Sequence, residues 1–187
     1  MMKKLKNKYN IETEYKFLVD KIPEEYDEKV AIIQYYFDKN LKKDLIINLF
    51  KLNEAEFEEL STARLRVRQT SGGTKYIVTV KSKGGLSRKE YEKEVSSSLY
   101  KKFVDNNVFS VIVKNRYYIY REYCFEFDEY LNLRTKMYTC EVELHDQETN
   151  EMVVKKIQEL LKRHFDINAI DVTNDHRYKN SNLHKYF

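Results

Sequence analysis

Polar and apolar positions alternate along most of this chain with a period of two. In residues 11–17, Glu12, Glu14 and Lys16 alternate with Ile11, Thr13, Tyr15 and Phe17. Side chains two apart share one face of a β-strand, so the pattern predicts strands with one charged and one largely apolar face. Strands are predicted at residues 9–19, 29–39, 44–52, 63–69, 75–83, 87–95, 108–120, 122–131 and 137–144.

The remaining segments predict helices, a connector and a tail. Residues 97–106 have a helical pattern, and residues 149–165 change to a helical period with an apolar stripe that is typical of core packing. Residues 53–60 are predicted to be a connector with one helical turn. Ser71, Gly72 and Gly73 predict a hairpin turn. Residues 171–187 form a polar and aromatic tail.

The charged faces carry nearly one sign on each strand. Arg64, Arg66 and Arg68 share one face, whereas Glu90 and Glu92 share another. An antiparallel sheet with one solvated face explains any single strand. Such a sheet explains the whole set of charged strands less well, because an ordinary solvated face mixes charges of both signs with Ser, Thr and Gln. The alternative is an α+β fold in which about eight strands close into an antiparallel barrel with a charged interior.

A charged barrel interior has consequences for ligands. Buried charges of one sign are costly unless they are paired or occupied by a ligand. Arginines and lysines on some walls therefore indicate a polyanion, and carboxylates on others indicate a cation. A triphosphate with Mg²⁺ or Mn²⁺ supplies both, because Arg and Lys bind phosphate oxygens and hard divalent ions prefer carboxylate oxygens.

Composition narrows the class of protein. The 187 residues suit one domain, or one domain with a small appendage, and 34 basic against 30 acidic residues argue against a bulk nucleic-acid binder. No apolar run approaches the roughly 18 residues of a membrane span, and residues 1–9 lack the apolar segment of a secretory signal. We therefore expect a cytoplasmic protein with no membrane partner. Four glycines leave no room for a Gly-rich phosphate loop.

Several motifs resemble one family in order along the chain. The Glu-x-Glu-x-Lys motif at Glu12, Glu14 and Lys16 resembles the signature of the CYTH superfamily, the triphosphate tunnel metalloenzymes. The similarity continues through residues 65–69, 80–92, 114–117, 125–128, 141–143 and 172–180. The last of these is similar to the end of the short bacterial branch. The resemblance covers nearly the whole chain, which leads us to expect one CYTH-like domain over residues 1–187.

The resemblance implies an eight-stranded antiparallel tunnel, flanked by helices, that acts on triphosphates with a divalent metal. On matching positions, the catalytic and triphosphate-binding residues would be Lys16, Arg66, Arg68, Lys81, Lys114 and Arg116. Arg64 is a further substrate-binding candidate, since the Arg-x-Arg-x-Arg run allows two registers, and Lys83 is another. The metal would be held by Glu12, Glu14, Glu141 and Glu143, with Glu90, Glu92 and Asp128 as further acids.

The lead hypothesis is an inorganic triphosphatase that cleaves tripolyphosphate to pyrophosphate and phosphate. Class IV adenylate cyclase and thiamine triphosphatase are rival enzymes, and a non-catalytic polyphosphate-binding module is a rival of another class. The four histidines lie outside the charged strands, so a covalent nucleophile is not favoured. The expected partner is a small-molecule triphosphate. The sequence leaves open the preferred metal, the acid that positions water and the oligomeric state, with a homodimer as one alternative.

Overall fold

The computed structural model describes residues 9–104, 108–144 and 151–187. Within these ranges the chain forms nine strands. They are β1 Asn10–Val19, β2 Glu28–Phe37, β3 Leu60–Thr70, β4 Gly73–Ser82, β5 Ser87–Val95, β6 Val108–Tyr120, β7 Cys124–Tyr130, β8 Tyr138–Leu144 and β9 Ala169–Asp171.

Five α-helices connect or cover these strands in the described residues. They are α1 Lys43–Phe50, α2 Glu54–Glu58, α3 Ser97–Phe103, α4 Glu151–Phe165 and α5 Leu183–Tyr186, with 3₁₀ turns at Lys39–Lys42 and His176–Tyr178. Asn53 and Glu56 form a reciprocal capping box at the start of α2, and Ser96 caps α3. None of the helices in the described ranges is long and apolar enough to cross a membrane.

The strands form one closed antiparallel barrel. Their order is β5-β4-β3-β2-β6-β7-β8-β1, and a further pairing of β1 with β5 closes the ring. In this closing pair Ile11 lies opposite Lys89 and Glu12 opposite Arg88. β9 pairs with the other end of β1, outside the ring. The predicted eight-stranded antiparallel barrel and the α+β class are confirmed.

The hydrophobic core lies outside the barrel wall, between the strands and the helices. On one side, Phe17, Phe127 and Val142 belong to a buried cluster with Ile157 and Leu161 of α4. On the other side, the outward-facing residues of β3 and β4 pack with side chains of α1, α2 and α3, including Leu65, Val78, Ile46, Phe57 and Phe103. Because the apolar faces are used outside, the charged faces of the same strands line the interior.

One predicted strand is wrong. Residues 44–52 were expected to be extended, but the structure has α1 there. Leu45, Ile46, Leu49 and Phe50 recur at helical spacing, and burial of Ile46 against the barrel stabilises the helix. The short strand β9, between the predicted helix at 149–165 and the tail, was not predicted. The predicted helix at 97–106 ends at Phe103, and its residues 105 and 106 lie outside the described residues, as do residues 149 and 150 of the other predicted helix.

Apolar side chains also occupy the two ends of the barrel. At one end, Leu183 of α5 lies in a buried cluster with Tyr36, Ile112 and Tyr130. We call this end the C-terminal mouth. At the opposite end, Val30 and Ile32 of β2 form a buried cluster with Tyr118. The charged residues therefore lie in the middle of the tunnel, between two apolar ends.

Candidate active site

Two adjoining cavities lie inside the barrel and share Glu14, Arg64 and Glu141. The mouth cavity lies next to the C-terminal mouth, and its cations are Lys16, Arg64, Lys81, Arg88 and Lys179. Among the described residues, those that line the inner cavity are all charged, namely Glu12, Glu14, Glu90, Glu92, Glu126, Glu141 and Glu143 with Arg64, Arg66 and Arg116. Cations and carboxylates are thus arranged along one tunnel.

Glu12 of β1 is held between two cations. Its carboxylate lies 2.5 Å from the Lys81 ammonium and 3.0 Å from Nε of Arg88. Burial opposes ionisation of Glu12, but the positive charges of Lys81 and Arg88 lower its pKa to about 2. Glu12 is therefore a carboxylate at neutral pH, and its negative charge is compensated within the tunnel.

Glu141 of β8 also bridges two cations. Its Oε1 lies 3.0 Å from Nζ of Lys16, and its other oxygen accepts a hydrogen bond from Arg116. Arg116 also donates to Glu126 and, at 2.7 Å, to Asp128. Although burial raises the pKa of Glu141, Lys16 and Arg116 together hold that pKa well below its usual range.

Lys114 and Asp128 form a fully buried ion pair behind the cavity wall. Nζ of Lys114 lies 2.5 Å from Asp128, and both side chains have no exposed surface. Burial and the nearby Arg116 lower the pKa of Lys114 to about 8. Neither residue lines either cavity, so the pair supports Arg116 from the wall of the tunnel.

The arginines of β3 have unsatisfied donors. The Nε atoms of Arg64, Arg66 and Arg68 are buried and have no hydrogen-bond partner among the described residues. Within the same ranges, Arg66 makes no ion pair, and burial together with Arg64 lowers its pKa. Buried N–H donors are normally satisfied, so these unpartnered donors fit an anion that accepts hydrogen bonds.

The pKa of Glu14 is shifted in the opposite direction to that of Glu12. Burial and the negative charges of Glu141 and Glu12 raise the pKa of Glu14 to about 8. Its carboxyl and those around it are hard oxygen donors, which suit Mg²⁺ or Mn²⁺. Yet no three His, Cys, Asp or Glu residues of the described ranges are assembled to hold a metal ion. The donor chemistry fits a divalent metal, but the carboxylates of Glu12 and Glu141 are engaged by cations.

The structure brings together most of the sequence-predicted site residues. Lining one or both cavities are Glu12, Glu14, Lys16, Arg64, Arg66, Lys81, Glu90, Glu92, Arg116, Glu141 and Glu143. Arg68 lies outside both cavities, 3.8 Å from Glu28 and over the ring of Tyr118. Lys83 is exposed just beyond the end of β4, where its N–H donates to Glu59 and the chain leaves the barrel.

Other residues of the site were not among the sequence candidates. Arg88 and Glu126 line the cavities, and both share a strand face with predicted residues, so the alternation contained this signal. Thr173 and Asn180 reach the mouth cavity from the tail. The tail has no periodic pattern that indicates a contact with β1.

A closed antiparallel barrel around a tunnel of opposed charges is the architecture of this protein. The family model of the CYTH domain matches residues 10–178, and the chain belongs to the CYTH family. The resemblance seen in the sequence motifs is confirmed. A search of curated proteins returned no match.

Solved structures share this fold. The hypothetical protein NE1496 is 25% identical with a TM-score of 0.53, and the match covers 92% of this chain and 96% of that one. A second structure of NE1496, described as an inorganic triphosphatase, is 23% identical with a TM-score of 0.53 and coverages of 94% and 95%. HpAC1 from Hippeastrum, for which a dominant triphosphatase activity is described, is 15% identical with a TM-score of 0.56 and coverages of 93% and 95%.

Proposed function

We propose that this protein is a divalent-metal-dependent triphosphatase that hydrolyses inorganic tripolyphosphate to pyrophosphate and phosphate. The observation that carries the proposal is the pair of buried Nε donors of Arg64 and Arg66, which have no partner among the described residues and line a cavity that also contains carboxylates. Membership of the CYTH family and the triphosphatase description of NE1496 support the same reaction class.

The basic residues of the cavities bind the phosphate chain in this proposal. Arg66 contacts it without giving up an existing ion pair, because it makes none among the described residues. Lys16, Lys81 and Arg116 exchange a carboxylate partner for a phosphate oxygen. Arg64 and Arg88 add two guanidinium groups at the mouth cavity, and such groups bind phosphate through paired N–H donors.

The carboxylates that would hold Mg²⁺ or Mn²⁺ are Glu12, Glu14, Glu141 and Glu143, with Glu90 and Glu92 beside them. A bound divalent ion neutralises phosphate charge and lowers the pKa of water. One carboxylate of this set accepts the proton of the attacking water. The cations stabilise the charge that develops on the leaving pyrophosphate, so catalysis depends on positioning and electrostatics.

The remaining candidates have supporting roles in this proposal. Lys114 and Asp128 hold Arg116 in place, whereas Arg68 and Lys83 lie outside the cavities that receive the substrate. We also propose that residues 1–187 act as one domain in the cytoplasm on a small-molecule triphosphate. The length of the CYTH match supports the single domain.

Product identification tests the proposed reaction. Purified protein is incubated with tripolyphosphate, ATP or thiamine triphosphate, with Mg²⁺ or Mn²⁺ and with or without EDTA, and products are followed by phosphorus NMR. We expect tripolyphosphate to be consumed fastest, to give pyrophosphate and phosphate, and to be left intact in EDTA. Cyclic AMP from ATP identifies a cyclase, and preferred hydrolysis of thiamine triphosphate identifies a thiamine triphosphatase. Binding without turnover identifies a polyphosphate-binding module.

Replacing Arg66 tests the tunnel as the phosphate site. Arg66→Met keeps the apolar stem and removes the guanidinium, so we expect tripolyphosphate affinity to fall. A charge-assisted contact is worth about 1.5–3 kcal/mol, or roughly a tenfold to hundredfold loss of affinity. The matched control is Arg163→Met on the exposed face of α4, which should bind normally. Equal affinities of the two variants would exclude this part of the tunnel as the binding site.

A further inference from the structure

The ammonium of Lys16 is buried and fully hydrogen-bonded by three structural elements. Its Nζ lies 3.2 Å from the Tyr130 hydroxyl of β7, 2.8 Å from Oδ1 of Asn180 in the tail and 3.0 Å from Oε1 of Glu141 in β8. An ammonium has three N–H donors, so each of them has one acceptor. Lys16 therefore binds an incoming phosphate only by exchanging one of these three partners.

The tail contacts Lys16 at both ends of one loop. The N–H of Lys16 donates to Oγ1 of Thr173 at 3.0 Å, and the N–H of Val172 donates to the carbonyl of Lys16 at 2.9 Å. The chain then passes through the 3₁₀ turn at His176–Tyr178 and returns to the Lys16 ammonium with Asn180. Residues 172–180 thus form hydrogen bonds with both the backbone and the side-chain ammonium of Lys16.

Asn180 is also tied to Tyr130. The Tyr130 hydroxyl donates to Oδ1 of Asn180 at 2.8 Å and lies 3.1 Å from the hydroxyl of Thr139. One carbonyl oxygen therefore accepts from both the hydroxyl and the ammonium, while Tyr130 is itself fixed by β8. The orientation of the Asn180 amide follows from this network, because an ammonium only donates. Asn180 and Tyr130 together define the direction in which the Lys16 ammonium points.

We propose that Asn180 is a positioning residue that, with Tyr130, holds Lys16 in place while a phosphate oxygen replaces Glu141 as its third partner. This inference rests on the proposed function. Asn180 and Tyr130 are neutral, so an anionic phosphate does not repel them and both can stay bonded to the ammonium. Glu141 is an anion and is repelled by the phosphate chain. The exchange frees Oε1 of Glu141, one of the metal-binding candidates, while the other oxygen keeps its bond from Arg116.

A double-mutant cycle tests the positioning role through binding alone. Tripolyphosphate affinity is measured by calorimetry in EDTA for Asn180→Ala, for Lys16→Met and for the double variant. We expect Asn180→Ala to weaken binding about tenfold in the wild type and not at all in Lys16→Met, since the effect passes through Lys16. The control is Asn182→Ala, whose amide bonds to the carbonyl of His176, and it should bind normally. Equal losses of affinity from Asn180→Ala in both backgrounds overturn the proposal.

A second measurement is independent of the proposed function. A buried, fully hydrogen-bonded ammonium exchanges its hydrogens slowly, so the Lys16 signal should be visible by nitrogen NMR in the free protein. We expect it to exchange faster in Asn180→Ala and to be unchanged in Asn182→Ala. An unchanged signal in Asn180→Ala overturns the positioning role, even if tripolyphosphate proves to be the wrong substrate. If Asn180→Ala does not fold, Tyr130→Phe removes a single hydroxyl and should give the same pattern in both measurements.

Discussion

Charged residues in the tunnel and behind its wall serve each other as ion-pair partners. Asp128 shows this most clearly, because it accepts from Lys114 at 2.5 Å and from Nε and an Nη of Arg116 at 2.7 Å. A buried ion pair contributes little net stability by itself, but removing one partner leaves an uncompensated charge in a poorly hydrated place. Loss of the Asp128 carboxylate therefore leaves two cations without this partner, whereas loss of the Lys114 ammonium leaves Asp128 paired with Arg116.

The Asp128 arrangement predicts an asymmetric effect on folding. Asp128→Asn leaves both Lys114 and Arg116 without this carboxylate, and we expect the free energy of unfolding to fall by about 3–5 kcal/mol. Lys114→Met should cost less, since Asp128 keeps Arg116 as a partner. Urea unfolding measures both values. The control is Glu122→Gln in the exposed pair with Lys156, which should cost less than about 1 kcal/mol. A Lys114→Met cost equal to that of Asp128→Asn would contradict this account.

At the residue scale, alternation predicted which side chains share a charged strand face, but not which of them line the cavities or pair with each other. Alternation is a local property, so Glu12, Arg66 and Lys81 could be assigned to charged faces directly. The bond between Lys81 and Glu12 joins residues 69 positions apart and depends on the β1–β5 closure of the barrel. Likewise, Asn180 is 164 positions from Lys16, and no pattern in the tail indicates that contact.

Among the secondary-structure elements, α1 is the one whose local sequence pattern led to a wrong prediction, because residues 44–52 were expected to form a strand. Its segment is dense in Leu, Ile and Phe, which also suits a buried strand. The helix ends with Lys51 in the left-handed region at a φ of 56°, and the N–H of Leu52 bonds to the carbonyl of Ile47. Glycine is the usual residue at this position of a helix C-terminus, so a lysine there removes the ordinary stop signal from the sequence.

The left-handed Lys51 gives a prediction about helix α1. Lys51→Gly removes the steric cost of the Cβ at positive φ, and we expect the free energy of unfolding to rise by about 0.5–1 kcal/mol. Lys51→Ala is the matched control, because it shortens the side chain and keeps the Cβ. Denaturant unfolding of both variants separates the two effects. If both variants change stability equally, the effect belongs to the lysine side chain and not to the backbone.

Whether the other secondary-structure elements could be predicted depends on how far each one relies on contacts with distant parts of the chain. The eight barrel strands and α4 repeat their pattern over many residues, and the sequence predicted all of them. β9 has three residues and exists because it pairs with the end of β1 at Phe17 to Val19. Such a strand has no periodicity of its own, so only the assembled barrel defines it.

On the scale of the whole molecule, the barrel places its apolar core outside and concentrates charge within. Most of the buried carboxylates are compensated, as Glu12 and Glu141 are by lysine and arginine. The half-buried Glu14 differs from them, since its pKa is raised to about 8 by burial and by the neighbouring Glu141 and Glu12. The fold therefore has an electrostatic cost at this carboxyl that depends on pH and that a bound cation would remove.

The pH dependence of stability should reveal this cost in EDTA. Between its ordinary pKa of 4.5 and about 8, Glu14 holds a proton in the folded protein and loses it on unfolding. The folded state then binds more protons than the unfolded chain, so the contribution of Glu14 to stability falls as pH rises through this window.

We therefore expect the free energy of unfolding of the wild type, relative to Glu14→Gln, to fall by about 1–3 kcal/mol between pH 5 and pH 8. Access of water from the cavity keeps the change below the full value of the shift. Urea unfolding at several pH values measures the difference, and Glu159→Gln on the exposed face of α4 should stay parallel to the wild type. Mn²⁺ at pH 8 should then stabilise the wild type more than Glu14→Gln, because a ligand stabilises the state that binds it. If the difference in the free energy of unfolding between wild type and Glu14→Gln is constant with pH, Glu14 is ionised in the folded protein. The nearby lysines and arginines would then compensate the repulsion between the carboxylates of the tunnel without a raised pKa at Glu14.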